Sequence, residues 1–363
     1  MGKKFEKFII HIGGDKTGST SIQRSLRTHR EKLLVESDFL YPFSGWHAVL
    51  GSFFSKNPED YIANRDRGLT DRKQIKERDR IYFKNFENAL NSAIGAKSII
   101  VSYEGFIQAD VSVLEGLRDY GESLANEVIV VVYVRPPISW ALSAMSQRVK
   151  SGRRPFPDEK APCTPYRKRL EQVVKVFGKS RVNVRRFDRR SLINGDIVND
   201  FLSHCGVPKV TYEGIQVDKS KTNSSLSLEG LLYGDAVIKE MTRRDLVTAY
   251  TAEGFKDRIG QFLVHIPGNR IAISEKYSQE LLQRFRGDHD YLFTEFGVDM
   301  SEAYDAPDPN AAYDPEIAFP ELDNLAKVQV GMLEQAILDK KLLEKTQMEK
   351  AQLEKKLAEQ EAI

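Results

Sequence analysis

The sequence predicts an α/β protein: a P-loop-like, three-layer domain with a central parallel sheet flanked by helices, followed by a C-terminal helical tail. Three observations predict it. Short, nearly continuous apolar runs recur along the first half of the chain. Segments with helical periodicity separate them. The first run ends in a glycine-rich turn that opens a helix. Phe8–Ile12, Ser98–Ser102 and Val128–Val134 are the apolar runs, the pattern of parallel strands covered on both faces. Arg181–Phe187 alternates and reads as a strand nearer an edge. Ile138, Leu142, Met145 and Val149 form one apolar helical stripe behind Pro136-Pro137, a good helix start. Strands alternating with helices imply right-handed crossovers within a parallel sheet.

Residues 1–299 are assigned to this α/β domain. Within it, Pro155, Pro157, Pro162 and Pro165 mark a loop at 152–165, and a second helical block runs from about Leu226 to Phe296. Residues 300–320, rich in Asp, Ala and Pro, read as a linker. Residues 321–363 read as a charged helical tail. Its Leu-Glu-Lys and Met-Glu-Lys units repeat every five residues, which does not keep apolar side chains on one seam. The best heptad frame aligns Met332, Ala336, Leu343, Leu353 and Leu357 but also admits Asp339 and Lys350. A self-associating coiled coil and a solvated single helix both fit.

The 363 residues carry a net charge of +2, which gives no electrostatic argument for nucleic acid. The charge is uneven, however. Residues 135–190 hold 16 Lys and Arg against four acidic residues, as suits an anionic ligand. Two cysteines, Cys163 and Cys205, form neither a disulfide framework nor a metal-ligand spacing. No window approaches a membrane span, and the apolar run at 8–12 is too short for a signal-peptide core. A cytoplasmic, non-membrane-spanning protein without a metal is the expectation.

The turn after the first run, His11-Ile-Gly-Gly-Asp-Lys-Thr-Gly-Ser-Thr20, is the most informative segment. A strand ending in such a turn aims backbone N–H groups and a positive helix end at one point. Gly13 and Gly18 have the spacing of an ATP-binding loop, G-x-x-x-x-G-K-[ST]. Ser19 nevertheless stands where that loop has lysine, and Lys16 lies three residues earlier.

Lys16-Thr-Gly-Ser-Thr20 on a strand–helix turn resembles the 5′-phosphosulfate loop of sulfotransferases that use 3′-phosphoadenosine 5′-phosphosulfate (PAPS). The resemblance implies that Gly14, Lys16, Thr17, Gly18, Ser19 and Thr20 hold the phosphosulfate, and that Lys16 serves the bridging oxygen as sulfonate leaves. A fixed cation there stabilises the transition state more than the ground state. A second motif agrees. Arg135 ends the third apolar run and Ser143 follows eight residues later in a helix, the spacing with which that family binds the 3′-phosphate. Arg181–Gly206, Asn223–Ser227 and the helix around Leu281–Phe285 are similar to bacterial members acting on carbohydrates. The resemblance spans roughly residues 5–298 and lacks the R-K-G-x-x-G-x-W segment of cytosolic small-molecule sulfotransferases. It implies a carbohydrate or glycoconjugate acceptor.

Transfer to a hydroxyl calls for a general base. Glu104, after the second apolar run, and His47 are the two candidates. His11 reads as a structural strand-end group, and Trp46 and Trp140 as stacking or core residues. Two alternatives stay open at this point: a P-loop-related nucleotide kinase, and a non-catalytic scaffold working through its tail.

Overall fold

A computed structural model describes residues 4–42, 47–156, 160–215, 225–246, 259–302 and 312–361, without the side chains of 340, 341 and those beyond 352. Trp46, Pro157, Asn223, Ser224, linker residues 303–311 and the side chains of Leu353 and Leu357 lie outside the described residues. The chain divides into two units. The first comprises 1–140, 163–223 and 280–304, and the second 141–162, 224–279 and 305–363.

The first unit is built on a five-stranded sheet in the order β2-β3-β1-β4-β5, with every pairing parallel. The strands are β1 (Phe5–Gly13), β2 (Phe39–Leu40), β3 (Ser98–Ser102), β4 (Ala125–Val134) and β5 (Val182–Arg186). The continuous apolar runs are explained by burial on both faces. In β1, Ile9 points into one core while Phe8, Ile10 and Ile12 point into the other. In β4, Val131 and Tyr133 join the first core, and Val130, Val132 and Val134 the second. The first core is closed by α1 (Ser19–Thr28), through Ile22 and Leu26, and by the helix Ile197–Cys205, through Val198, Phe201 and Leu202. On the opposite face lie the helices Arg72–Ser92 (Phe86, Leu90), Val111–Leu124 (Leu114, Leu117) and Tyr166–Phe177 (Leu170, Val173). Three layers result, as the sequence predicts.

β1 is the pivot of the topology. The chain moves from β1 to one side for β2 and β3, then returns to β1's other flank for β4 and β5. In open α/β sheets, ligands bind at such a reversal, outside the carboxyl ends of the strands.

In the second unit, the helix Leu228–Arg243 packs against the start of the helix Pro320–Glu361, where Ala326 and Val330 are fully buried. Gln329 bonds Tyr233, and Glu334 pairs with Arg244 at 2.7 Å. Tyr313, in the stretch expected to be a linker, is 1% exposed and hydrogen-bonds Asp235 at 3.1 Å. Its backbone also exchanges hydrogen bonds with Ala272 and Ser274. Residues 312–313 and the first turns of the tail are thus part of a core, because their apolar and aromatic groups find partners there. Among the described residues, no helix is long and apolar enough to cross a membrane.

Candidate active site

The C-terminal ends of β3, β1 and β4 carry Glu104, the glycine-rich loop and Arg135. The loop lies so close to its neighbours that two positions exclude any side chain. A Cβ on Gly13 would stand 2.2 Å from the Glu104 Cα, and one on Gly14 2.0 Å from the Tyr133 carbonyl oxygen. Gly13 and Gly18 also have φ near +80°, a region glycine enters at low cost. Lys16 has φ 64° and is a non-glycine residue in the left-handed region, at an expected cost of about 1–2 kcal/mol.

Side chains capture three successive loop carbonyls. The buried Thr17 Oγ1 donates to the Gly14 oxygen at 2.6 Å. Trp140 Nε1 donates to the Asp15 oxygen at 2.8 Å, and Arg135 Nη1 to the Lys16 oxygen at 2.9 Å. The Asp15 carboxylate accepts from Gln108 Nε2 at 3.2 Å and lies 3.5 Å from Arg169. In a trans peptide each carbonyl opposes the following N–H, so the captured oxygens turn the amides of 15, 16 and 17 the other way.

Ser19 sits in the first turn of α1, 6% exposed, and its Oγ has no hydrogen-bond partner among the described residues. The helix begins at Gly18, which offers no side-chain cap. A buried hydroxyl at an uncapped helix start, beside a backbone pressed free of Cβ atoms, fits a phosphate or phosphosulfate group. Thr20 is exposed at the rim. Thr17 differs from its neighbours, because its hydroxyl proton is committed to the loop's own backbone.

Arg135 is held from several sides. Its backbone N–H donates to the Tyr166 hydroxyl at 3.0 Å, its Nε to Ser139 Oγ at 3.3 Å, and its guanidinium stands over the Phe187 ring. Ser139 is thus one serine bonded to this arginine. Ser143 follows one turn later in the helix Pro137–Lys150, half-buried and within the second unit. The start of that helix is capped by Glu302, whose carboxylate accepts from the N–H groups of Ile138 (2.8 Å) and Ser139 (3.1 Å).

The two base candidates lie in different environments. Glu104, half-buried directly after β3, has its Oε2 held by Gln23 Nε2 at 2.6 Å. His47 is 1% exposed, and both ring nitrogens are engaged by backbone. Nδ1 accepts from the Ser102 N–H at 3.0 Å, and Nε2 donates to the Pro42 carbonyl at 2.9 Å. Burial pushes its pKa down to about 4, and the ring packs against Tyr41 and Phe86. His11 is likewise buried, bonded to Ser102 Oγ at 2.7 Å, with its pKa lowered by burial to about 3.

Several basic residues of the stretch 135–190 pair with acids from elsewhere in the chain. Arg185 makes a forked contact to the fully buried Asp200, which also accepts from the Tyr133 hydroxyl. Arg181 pairs with Glu122, and Lys179 with Glu295.

Gln23, Ser139 and Glu302 had no role in the sequence-based site, and Trp140 entered it only as a stacking or core residue, not as a donor to the loop. Gln23 alone left a readable signal, since it lies one helical turn beyond Ser19 on α1.

No family model and no curated protein matches this chain. Two sulfotransferases of known structure are similar to it. One is a sulfotransferase from Alicyclobacillus acidocaldarius, 14% identical, with 69% of this chain and 96% of that one covered at a TM-score of 0.39. The other is the sulfotransferase domain from the curacin biosynthetic pathway, 11% identical, with 78% and 98% covered at a TM-score of 0.31. Both likenesses are distant, and the chemistry of the site rests on its own residues.

Proposed function

We propose that this protein transfers a sulfonate group from PAPS to a hydroxyl of a carbohydrate or glycoconjugate, releasing 3′,5′-ADP. The observation that carries the reading is the meeting of Arg135 with the Lys16 carbonyl at 2.9 Å. A strand-end guanidinium beside a phosphate loop supplies a second anion contact, which a nucleotide with a 3′-phosphate requires and ATP does not. PAPS would supply an electrophilic sulfur and a phosphate leaving group. Gly14, Gly18, Ser19 and Thr20 would hold its phosphosulfate through backbone amides and hydroxyls, and Arg135 its 3′-phosphate. Lys16 would stabilise the charge that develops on the leaving oxygen as the S–O bond breaks.

Glu104 is the proposed base, accepting the hydroxyl proton as the acceptor oxygen bonds to sulfur. It is supported by its place against Gly13 and by the amide that orients it. His47 is proposed instead to position the end of β3, since both of its nitrogens are already engaged. The carbohydrate class rests on the sequence resemblance of residues 181–206, 223–227 and 281–285. Self-association through the C-terminal helix is a separate proposal, read by sedimentation with and without residues 339–363.

Calorimetry of 3′,5′-ADP, ADP and ATP without magnesium tests the reading. The 3′-phosphorylated nucleotide should bind at least about tenfold more tightly, as one or more charge-assisted hydrogen bonds would give. Arg135→Ala should abolish that preference. Equal binding of ADP would overturn the proposal. Glu104→Gln should slow transfer by about 10²–10⁴-fold.

A further inference from the structure

We infer that Trp140 is a positioning residue for Lys16, acting through the backbone rather than through stacking or core packing alone. The inference rests on the sulfotransferase reading for its consequence in catalysis. It rests on the structure for its mechanics.

Lys16 stands in the left-handed region, where a lysine is disfavoured, so its surroundings must over-determine that conformation. The peptide units on its two sides are each fixed by a side chain. Trp140 Nε1 holds the carbonyl preceding Lys16, and Arg135 Nη1 holds the carbonyl following it. These donors come from one short piece of chain, the end of β4 and the first turn of the next helix. That turn is itself anchored by Glu302 on Ile138 and Ser139, and by the Trp140 N–H to the Pro136 carbonyl at 2.8 Å. Trp140 is 9% exposed, so its indole N–H is a directed donor in a place where an unpaired polar group is costly. On the other side, Gln108 and Arg169 restrain the Asp15 carboxylate.

The indole and the guanidinium therefore form a two-point clamp around one residue. The guanidinium end belongs to the nucleotide site. The indole end has no ligand role and sets the direction in which the Lys16 side chain leaves the loop. A lysine that must face a leaving oxygen in the transition state loses much of its value when displaced by about 1 Å, which can cost about 10²-fold in rate.

The test is Trp140→Phe, which keeps a ring and removes the donor, made in the natural chain and in Lys16→Ala. With PAPS and an acceptor, kcat should fall about 10- to 100-fold while KM for PAPS and 3′,5′-ADP affinity stay within about twofold. In Lys16→Ala the same change should cost nothing further. An equal loss in both backgrounds, or no loss in the natural chain, would overturn the inference. A second readout needs no turnover: acylation of Lys16 by a water-soluble N-hydroxysuccinimide ester, followed by mass spectrometry against the exposed Lys168. Trp140→Phe should change that ratio, because the lysine side chain then leaves the loop in another direction; an unchanged ratio refutes it. A third readout needs no variant. The chain has two tryptophans, and ¹⁵N-labelled indole N–H of Trp140 should exchange at least about tenfold more slowly than free indole. Exchange at the free rate would mean that the Trp140 bond does not hold. If the natural protein neither transfers sulfonate nor prefers 3′,5′-ADP, the functional reading fails, while acylation and exchange still decide the role of Trp140.

Discussion

His47 offers a quantitative test that also separates the two candidate bases. In the fold its ring is buried, with a donor on one nitrogen and an acceptor at the other, and its pKa is pushed from 6.5 down to about 4. In the unfolded chain the imidazole takes a proton below about pH 6.5, whereas in the fold it resists until about pH 4. Its contribution to stability is therefore fully present above the unfolded value and is lost as pH falls through that window. At about pH 5 the unfolded ring is nearly all protonated and the folded ring about one-tenth so, a difference worth about 2 kcal/mol. His47→Gln supplies a donor and an acceptor without titrating. Urea unfolding at about pH 7.5 and about pH 5 should show the natural protein losing about 2 kcal/mol more than the variant between the two. Equal losses would refute the assignment of a neutral, backbone-bound imidazole. The same variant should keep the acid limb of its rate profile; loss of that limb would return His47 to the role of base.

Three further outcomes follow from the loop and its supports. Gly14→Ala drives a Cβ into the Tyr133 carbonyl, so thermal unfolding should report a loss of about 1–3 kcal/mol or more, and stability unchanged within about 0.5 kcal/mol would contradict the packing. Lys16→Gly removes a left-handed lysine and should stabilise the fold by up to about 1 kcal/mol while abolishing most of the proposed sulfonate transfer. Stability and activity lost together would show that the side chain supports the fold. Glu302→Ala uncaps the helix Pro137–Lys150 and should cost about 0.5–2 kcal/mol in urea unfolding, with no effect expected if the two N–H groups were satisfied by water.

Much of the fold was legible because β1, β3 and β4 are covered on both faces, which writes them as unbroken apolar runs. β2 left no such trace: Phe39 and Leu40 pair only with Ser98 and Ile99, and two residues cannot display a period. The loop and Arg135 were readable as motifs, and the sheet does bring them together. The residues that hold them were not. Trp140, Gln23 and Glu302 act on carbonyls, a carboxylate and N–H groups far away in sequence, and such bonds follow no spacing rule. The tail was legible as helix but not in its attachment. The heptad frame began at Met332, which is 68% exposed, whereas Ala326 and Val330, six and two residues earlier, are the ones buried. Tyr313 lies among Asp, Ala and Pro residues that read as linker, and only its neighbours in space reveal it as core.

The position of β1 between β3 and β4 turns the sheet into a ruler. Glu104 and Arg135 leave from strands two spacings apart, roughly 10 Å at about 4.8 Å per spacing, with the loop midway between them. That interval is fixed by backbone hydrogen bonds, not by side chains or mobile loops. Substitutions on the β2 and β3 flank could reshape what approaches Glu104 and leave the contacts at Arg135 in place. The two ends of the site are thus free to diversify separately, while the distance between them is inherited from the sheet.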